Sequence, residues 1–413
     1  MNLTHRRSFR AILSVIFLDN LGLTVVYPLF TPLVLMPVFT LLPEHSPLSF
    51  RIILLGILIA VFPFAQFIAG PFIGHLADIK GRKFTFTLAL IGEAIGFIIT
   101  GLAIQFMSYP FLILGRIVSG FCAGNMTLCL SAISDMSPEV KQRSRNFGIV
   151  ASVAGISFVV AIVIGGTLSN TTINRFFNSA IPFWAITALC LINVGIIRSY
   201  FTETLLLKQE ASHSLKRAVT QISTIFKTSD LKFLYPLFFF FMLGWIITLQ
   251  FLSSFLIEHF VGTKWTITIT FISIGLAWCI GNMGVNRLLV PFLKPKPLLF
   301  LALLGSTFFL FVASEAHNFL LFFHFMLFGG LFASLAWTHC LSLISISAPE
   351  NLQGKILGLN QSVATLSMAL APLFGGMIGE FDIRTIYLFA SCSLLISIII
   401  LVCFNLKNLK NHF

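Results

Sequence analysis

The sequence predicts an all-α integral membrane protein with twelve transmembrane helices in two pseudo-two-fold related six-helix bundles. Hydrophobic residues make up 57% of the chain and charged residues only 10%, whereas soluble domains carry about 25% charged residues. Apolar runs of about 20 residues, long enough to cross a bilayer as helix, follow one another along the whole chain. A segment near residue 148 also recurs near residue 358, which indicates a duplicated bundle. A β-barrel would show short alternating segments instead.

The spans are assigned from the apolar runs and from the charged, glycine and proline residues between them. The basic segment 1–10 has no small-residue cleavage site after it, so we expect a retained first helix and not a signal peptide. We predict an N-terminal bundle over 1–204, a cytosolic linker over 205–232 and a C-terminal bundle over 233–413. The twelve spans cover 10–38, 52–73, 84–107, 110–133, 147–169, 180–201, 233–257, 266–290, 298–315, 318–346, 356–379 and 384–405.

The net charge of +12 is explained by topology. When the spans alternate across the membrane, most of the 26 lysines and arginines fall on the side of the two termini. This bias is the positive-inside rule, and it predicts that both termini are cytoplasmic. We therefore expect no nucleic-acid binding. We expect a multi-pass, monomeric protein of a bacterial inner membrane, with the lipid bilayer as its surroundings.

No pattern of residues predicts an enzyme. The seven cysteines all lie inside predicted spans and show no metal-ligand spacing. His324 and His339 lie in one span, fifteen residues apart, which is roughly 22 Å along a helix axis and too far for a shared metal. Acid, base and metal-binding residues do not cluster at one membrane face. We therefore expect no catalytic residues, no metal site and no cofactor.

Residues 74–83 read G-H-L-A-D-I-K-G-R-K and separate two apolar runs. Glycine adopts positive φ at little steric cost, so we expect Gly74 and Gly81 to form a tight turn. The charged side chains between them require headgroup or cytosolic water. The pattern G-x-L-A-D-x-x-G-R-K resembles the signature loop between helices 2 and 3 of the major facilitator superfamily of transporters. The resemblance implies the major facilitator fold and transport by alternating access.

The resemblance also implies a conformational latch at the cytosolic surface. The segment A-I-S-D-M-S-P-E-V-K-Q-R after the fourth span is similar to the same branch of the family. It would place an aspartate beside the cations of the signature loop. In the family, such a cluster holds the outward-open state and releases on closure, which makes it a two-state element. Plain anchoring of the topology is the alternative. The latch candidates are Gly74, Asp78, Gly81, Arg82, Lys83 and Asp135.

The first span carries an acidic residue, Asp19, inside an apolar run. An ionisable residue at such depth is costly unless it is paired, solvated or protonated, and it marks a functional site by default. Asp19 followed by Gly22 and Pro28 resembles the acidic first-helix signature of drug:proton antiporters. Polar residues recur beside it at helical spacing, namely Asn20, Thr24, Tyr27 and Thr31.

Two further ionisable residues lie within predicted spans. Glu93 lies in the third span at a depth similar to that of Asp19. Arg116 lies in the fourth span, where L-x-x-x-R-x-x-x-G-x-x-x-G resembles the helix-4 arginine motif of the family, which is implied to assist proton transfer. An arginine does not release its proton, so Arg116 would bias a nearby carboxylate or bond a backbone carbonyl. Asp19, Glu93 and Arg116 are therefore the proton-coupling candidates, with structural roles such as capping a helix break as the alternative.

The internal repeat joins the fifth and eleventh spans. Residues 148–168 align without a gap on residues 358–378, and eight of the 21 positions are identical. Two such halves around a site near the middle of the bilayer are typical of many secondary transporters. Ala161-Ile162 stands where drug antiporters usually carry Gly-Pro, a departure that leaves the direction of transport open.

Polar and aromatic residues on facing spans are the candidates for the substrate cavity. An apolar cavity with few polar groups suits a lipophilic or amphiphilic small molecule. The favoured function is therefore proton-coupled efflux of a drug-like or amphiphilic compound, similar to the tetracycline and multidrug branch of the family. The alternatives are an importer or facilitator of a metabolite on the same fold, and a non-transporting membrane scaffold or enzyme. The cavity candidates are Asn20, Tyr27, Trp245, Gln250, Trp278, Asn282, Trp337, Asn360 and Gln361.

Overall fold

The computed structural model describes residues 3–36, 41–43, 45–136, 140–171, 173–204, 230–347, 353–379 and 382–410. Within these ranges the regular structure is helical and forms twelve passes, α1 to α12. Eleven passes are long and apolar enough to span a membrane, and α5 contributes the shorter apolar stretch Ser152–Leu168. The bounds are α1a Leu3–Thr24, α1b Val26–Leu35, α2 Leu48–Lys80, α3 Arg82–Gln105, α4a Tyr109–Cys122, α4b Asn125–Asp135, α5 Val140–Leu168, α6 Ile181–Tyr200, α7a Leu231–Gln250, α7b Leu252–Phe260, α8a Lys264–Cys279, a π-helical turn Ile280–Val285, α8b Asn286–Leu289, α9 Pro295–Ser314, α10 Phe319–Ile346, α11 Gln353–Gly379 and α12 Ile383–Lys410.

The predicted all-α membrane fold is confirmed, and several helices run further than their apolar spans. The predicted linker 205–232 lies mostly outside the described residues, and α7a begins at Leu231. Because the number of passes is even, α1a begins and α12 ends on one side of the membrane, which we call the terminal side. The other side is the opposite side.

The turn predicted over residues 74–83 is wrong in its first half. Helix α2 continues to Lys80, and α3 begins at Arg82. Gly74 is helical and has open space around it. Gly81 has a φ of +95° and is the one glycine with positive φ among the described residues. Charged residues do not end a helix that has left the hydrocarbon, because its backbone hydrogen bonds remain intact in water. A single glycine therefore makes the turn.

Three passes are interrupted near the middle of the membrane, which the apolar runs do not reveal. The interruptions lie at Val25 in α1, at Ala123 in α4 and at Phe251 in α7. Backbone groups released by such breaks need partners, since hydrocarbon offers none. At the α4 break, Gln66 Nε2 of α2 donates to the carbonyl oxygen of Ala123 at 2.7 Å. Broken helices in the middle of transporters line binding sites.

Helices α5 and α11 make matching contacts. Ser157 and Ser367 occupy aligned positions of the internal repeat. Ser157 Oγ donates to the carbonyl oxygen of Phe17 in α1a at 2.5 Å, and Ser367 Oγ donates to that of Phe239 in α7a at 3.2 Å. Helix α5 thus packs against α1a, the first helix of the group α1–α6, in the same way as α11 packs against α7a, the first helix of the group α7–α12, as a duplication predicts.

Glycines bring the two groups of helices together on the opposite side. An added Cβ at Gly166 of α5 would lie 2.3 Å from Thr268 Oγ1 of α8a. An added Cβ at Gly56 of α2 would lie 2.4 Å from the carbonyl oxygen of Pro372 in α11. Such close approach of backbones is what small residues allow at helix interfaces in membranes.

Candidate functional site

A cavity of about 220 Å³ lies between the two groups of helices, in the halves of the helices nearer the terminal side. Its walls are mainly apolar, and none of the described residues that line it carries a formal charge. Apolar walls with a few polar groups are typical of small-molecule sites. Six of the nine residues predicted for the cavity line it: Asn20, Trp245, Trp278, Trp337, Asn360 and Gln361.

Tyr27 and Gln250, which were also predicted for the cavity, are not among the described residues that line it in this conformation. Both lie next to helix breaks, between the cavity and the opposite side of the membrane. The Tyr27 ring stacks on Phe271 with centroids 6.1 Å apart, and its carbonyl oxygen accepts from Ser253 Oγ at 3.0 Å. Gln250 Nε2 donates to the carbonyl oxygen of Met368 at 3.3 Å. The Tyr27 contacts join the two groups of helices on the opposite side of the cavity, whereas the Gln250 bond joins α7a to α11 within one group.

Asn282 is also absent from the cavity wall. It lies in the π-helical turn of α8, where its side chain bonds Thr338 of α10. The extra residue in a π-turn changes the direction of the side chains that follow, so helical spacing from Trp278 does not place Asn282 on the cavity face.

Asp19 and Glu93 lie together, joined by a residue that the sequence analysis did not select. Asn125 Nδ2 donates to Asp19 Oδ1 at 3.0 Å and to Glu93 Oε1 at 2.7 Å. All three side chains are buried, with Asp19 7% exposed and Glu93 1% exposed. Asn125 is the first residue of α4b, directly after the α4 break. The helix break thus positions the amide that bridges the acids of α1a and α3.

The carboxyl pair lies directly behind the cavity wall. Asn20 and Met126, the residues that follow Asp19 and Asn125, both line the cavity. The Asn20 Nδ2 group donates to the carbonyl oxygen of Ile16 at 2.8 Å. A ligand in the cavity would therefore touch residues next to those that hold the carboxyl pair.

Arg116 lies apart from the carboxyl pair. Its side chain is completely buried, its Nη1 lies 3.5 Å from the carbonyl oxygen of Gly22, and its guanidinium lies 4.2 Å from the ring centroid of Phe62. Phe30 flanks it at 5.6 Å. An arginine over aromatic faces is stabilised by cation–π attraction. In this conformation Arg116 therefore bonds a backbone carbonyl and aromatic rings rather than a carboxylate.

At Arg82 and Lys83, two of the residues predicted to form a latch, the acceptor is Glu203, just beyond the end of α6. Its two carboxylate oxygens accept from the backbone N–H groups of Arg82 and Lys83 at 3.1 and 3.0 Å. Arg82 Nη1 also donates to Thr204 Oγ1 at 3.0 Å. A carboxylate is stabilising at a helix N-terminus because the first N–H groups have no partner within the helix. Asp78 and Asp135 lie in α2 and α4b, and their side chains are outside the described part of the chain.

Glu203→Ala should lower the stability of the folded protein. The change removes the acceptor of two N–H groups at the start of α3, and loss of a helix N-cap costs about 0.5–2 kcal/mol. The measurement is the midpoint of thermal unfolding of the purified protein in detergent. Glu315→Ala, at an exposed glutamate on the opposite side, is the matched control. Equal midpoints for the two variants would rule out the capping role of Glu203.

Comparisons with known proteins agree with this architecture. A family model described as Major Facilitator Superfamily matches residues 12–305 and 292–411. The chain is 26% identical over 402 residues to multidrug resistance protein 2 of Bacillus subtilis, covering 94% of this chain and 93% of that protein. It is 28% identical over 171 residues to the class H tetracycline resistance protein of Pasteurella multocida, covering 41% of this chain and 40% of that protein. It is 31% identical over 124 residues to quinolone resistance protein NorA of Staphylococcus aureus, covering 29% and 30%. The last two matches thus span less than half of those relatives.

Solved structures show the same fold at low identity. The human organic anion transporter MFSD10 (TETRAN) superposes with a TM-score of 0.74 at 17% identity, covering 96% of this chain and 99% of that chain. A D-xylose-proton symporter superposes with a TM-score of 0.77 at 15% identity, covering 96% of each chain. With the family model matching nearly the whole length, the chain belongs to the Major Facilitator Superfamily and is a multi-pass membrane transporter, not an enzyme.

Proposed function

We propose that this transporter exports a small organic molecule in exchange for protons, with Asp19 and Glu93 as the proton site. The observation that carries the proposal is the buried carboxyl pair, bridged by Asn125 directly behind the cavity wall. The relatives named for resistance to tetracycline, quinolones and multiple drugs support export of drug-like compounds.

The geometry of the pair suits uptake and release of one proton. Two carboxylates close together in a low-dielectric site repel each other, so the pair is most stable when it shares a proton. Asn125 is the donor that the described residues supply to both acids. If the site opens to water, hydration can stabilise the second charge and release the proton. Access of water to the carboxyl pair thus controls whether the pair binds or releases the proton.

Coupling to the substrate follows from the position of the pair. A ligand that moves Asn20 or Met126 also moves Asp19 or Asn125, the residues directly before them in the chain. Separation of the two acids would favour release of the shared proton. Protonation would in turn favour the arrangement described here, in which the cavity is closed toward the opposite side. The substrate and the proton thus bias the same equilibrium between two conformations of the transporter.

We assign the terminal side to the cytoplasm of a bacterial cell, following the positive-inside rule. The protein would act as a monomer, with the bundles 1–204 and 233–413 rocking about the cavity. The latch at Gly81 and Glu203 would lie at the cytoplasmic surface. The seams at Gly56 and Gly166 would then separate when the transporter opens to the outside.

The direct test is transport by the purified protein in liposomes, with and without a pH gradient. A pH gradient of about one unit makes about 1.4 kcal/mol available per proton, which supports about tenfold accumulation of a solute exchanged for one proton. Drug-like solutes should accumulate only on the acidic side of the membrane. Equal solute flux with and without the pH gradient would contradict the proposal.

Asn125→Leu should uncouple transport from protons. The variant removes the amide that holds both carboxyl groups, so we expect a changed pH dependence of transport and a loss of gradient-driven accumulation. Gln66→Leu is the matched control, because Gln66 supports the same α4 break through the Ala123 carbonyl and bonds neither acid in this structure. If both variants lower thermal stability but leave the pH dependence unchanged, Asn125 is only structural.

Import on the same fold is the second candidate, and α5 favours it. The helix runs without a break through Ala161 and Ile162, which are both completely buried. These residues replace the Gly-Pro pair of the drug antiporters, and a proline would kink the helix there. Accumulation on the alkaline side in the liposome experiment, with solute and protons moving together, would favour import.

A further inference from the structure

Three tryptophans from three helices form a continuous row along one wall of the cavity. Trp245 of α7a stacks on Trp278 of α8a with centroids 5.7 Å apart and ring planes at 25°. Trp278 is followed by Trp337 of α10 at 6.5 Å and 55°. All three line the cavity, and Trp278 and Trp337 are only half-buried. The row therefore presents indole surface to whatever occupies the cavity.

Small residues leave space beside this row. Gly155 of α5, from the other group of helices, lies where an added Cβ would be 3.8 Å from Trp278 Cδ1. Gly330 of α10 lies where an added Cβ would be 3.1 Å from Ile274 Cγ2 and 3.5 Å from Trp245 Cη2. Larger side chains at these positions would occupy the volume next to the rings. Gly155, a lining residue, thus places no side chain between the cavity and Trp278.

A buried amide oxygen in the same cavity has no partner within the described part of the chain. Asn360 lines the cavity and is only 5% exposed, yet its Oδ1 accepts no hydrogen bond from the described residues. A buried acceptor without a donor is costly, and such an atom in a native structure calls for an explanation. A ligand N–H or O–H group would satisfy it.

The remaining lining residues narrow the chemistry further. They carry no formal charge, and their polar side chains are the amides of Asn20, Asn360 and Gln361. Phosphorylated or multiply anionic ligands are recognised by arginine and lysine, and neither occurs among the described lining residues. Aromatic faces bind flat π-systems and tolerate one positive charge.

We infer that the cavity binds a planar aromatic compound that stacks on the exposed faces of Trp278 and Trp337 and donates a hydrogen bond to Asn360. This inference rests on the proposed function in taking the cavity as the transport site, and it adds the class of compound that is carried. The indole row supplies affinity for flat rings of varied structure, whereas the single amide acceptor selects those that carry a donor.

The test is equilibrium binding to the purified protein in detergent, with two probes of equal charge. Proflavine is a planar aminoacridine cation with N–H donors, and tetraphenylphosphonium is a non-planar cation without donors. Proflavine should bind, and tetraphenylphosphonium should bind at least about tenfold more weakly. Trp278→Leu and Trp337→Leu should each weaken proflavine binding by about tenfold, which is the usual scale for loss of one stacking partner. Trp278→Phe should retain most of the proflavine binding, because phenylalanine also offers an aromatic face.

The chain supplies its own controls. The sequence has five tryptophans, and the two outside the cavity are Trp184 and Trp265. Trp265→Leu and Trp184→Leu should leave proflavine binding unchanged. Asn360→Leu should weaken proflavine binding without affecting tetraphenylphosphonium. Equal affinity for the two probes, equal losses in all four Trp→Leu variants, or no proflavine binding to the unaltered protein would overturn the inference.

Binding in detergent involves no gradient, so the result is separate from proton coupling. If proflavine binds through the indole row but is never accumulated, the export proposal fails and the ligand assignment stands. If only non-aromatic solutes are accumulated, export stands and the ligand assignment fails.

Discussion

Asp19→Asn should abolish accumulation of substrate against its gradient. Asparagine has nearly the same size as aspartate and can still bond Asn125, but it cannot bind and release a proton. A carrier without coupling can only equilibrate its substrate, so the ratio of inside to outside concentration should fall from about tenfold, for a gradient of about one pH unit and one proton, to about one. The measurement is accumulation in liposomes after a pH jump, with exchange of labelled substrate at equal pH measured in parallel.

Exchange at equal pH should survive in Asp19→Asn, because the fold and the cavity are intact. Glu93→Gln should have the same effect, and the double variant should be no worse than either single variant, since the two acids act as one unit. Asp382→Asn is the control. Asp382 is an exposed carboxylate whose Oδ1 accepts from the backbone N–H of Arg384 at 2.8 Å, a bond that asparagine can keep. Concentrative transport by Asp19→Asn would refute the assignment of the proton site.

Gly56→Leu should hold the transporter away from the conformation described here. An added Cβ would lie 2.4 Å from the carbonyl oxygen of Pro372, a backbone atom that cannot turn away. Overpacking of this kind costs about 1–3 kcal/mol, which changes a two-state equilibrium by roughly 5- to 150-fold. The seam between α2 and α11 would then stay open on the opposite side, and transport should fall by a similar factor.

Distances between spin labels can measure this shift. Labels at the exposed Leu48 and Arg384 would report the separation of α2 and the start of α12, in a protein from which the exposed Cys392 and Cys403 have been removed. Gly70→Leu is the matched control, because Gly70 lies in the same helix with nothing within 4 Å of an added Cβ. An unchanged distance distribution in Gly56→Leu, or an equal change in Gly70→Leu, would show that the seam does not gate transport.

The ionisable candidates could be chosen from the sequence, but their partners could not. Asp19, Glu93 and Arg116 stand out because a charge within an apolar run is rare. Nothing in the spacing shows that Asp19 and Glu93 lie together while Arg116 packs on Phe62. Asn125 carries no charge and lies directly after a helix break that composition does not reveal, so no sequence signal selects it. No sequence signal selects Glu203 either, because its role depends on where α3 begins.

The cavity candidates divide in the same way. Trp245, Trp278 and Trp337 were selected as aromatic residues on facing spans, and they line the cavity. Tyr27 and Gln250 were selected by the same rule, but they lie next to breaks in α1 and α7, outside the described lining of the cavity. Asn282 is turned away by the π-helical turn. Gly74 differs in the converse way, since a glycine between apolar runs predicts a turn, whereas the helix continues past it to Lys80.

The amino-acid sequence alone determined that this chain is embedded in a membrane, how many times it crosses and which family it resembles. These properties follow from local quantities, namely the length of each apolar run, the cost of burying charge and the residues of a short loop. Only the tertiary structure decided which polar groups meet, where the helices break and which side of the cavity is closed. Those features depend on close approach between residues that are distant along the chain, and helix packing, not composition, sets that approach.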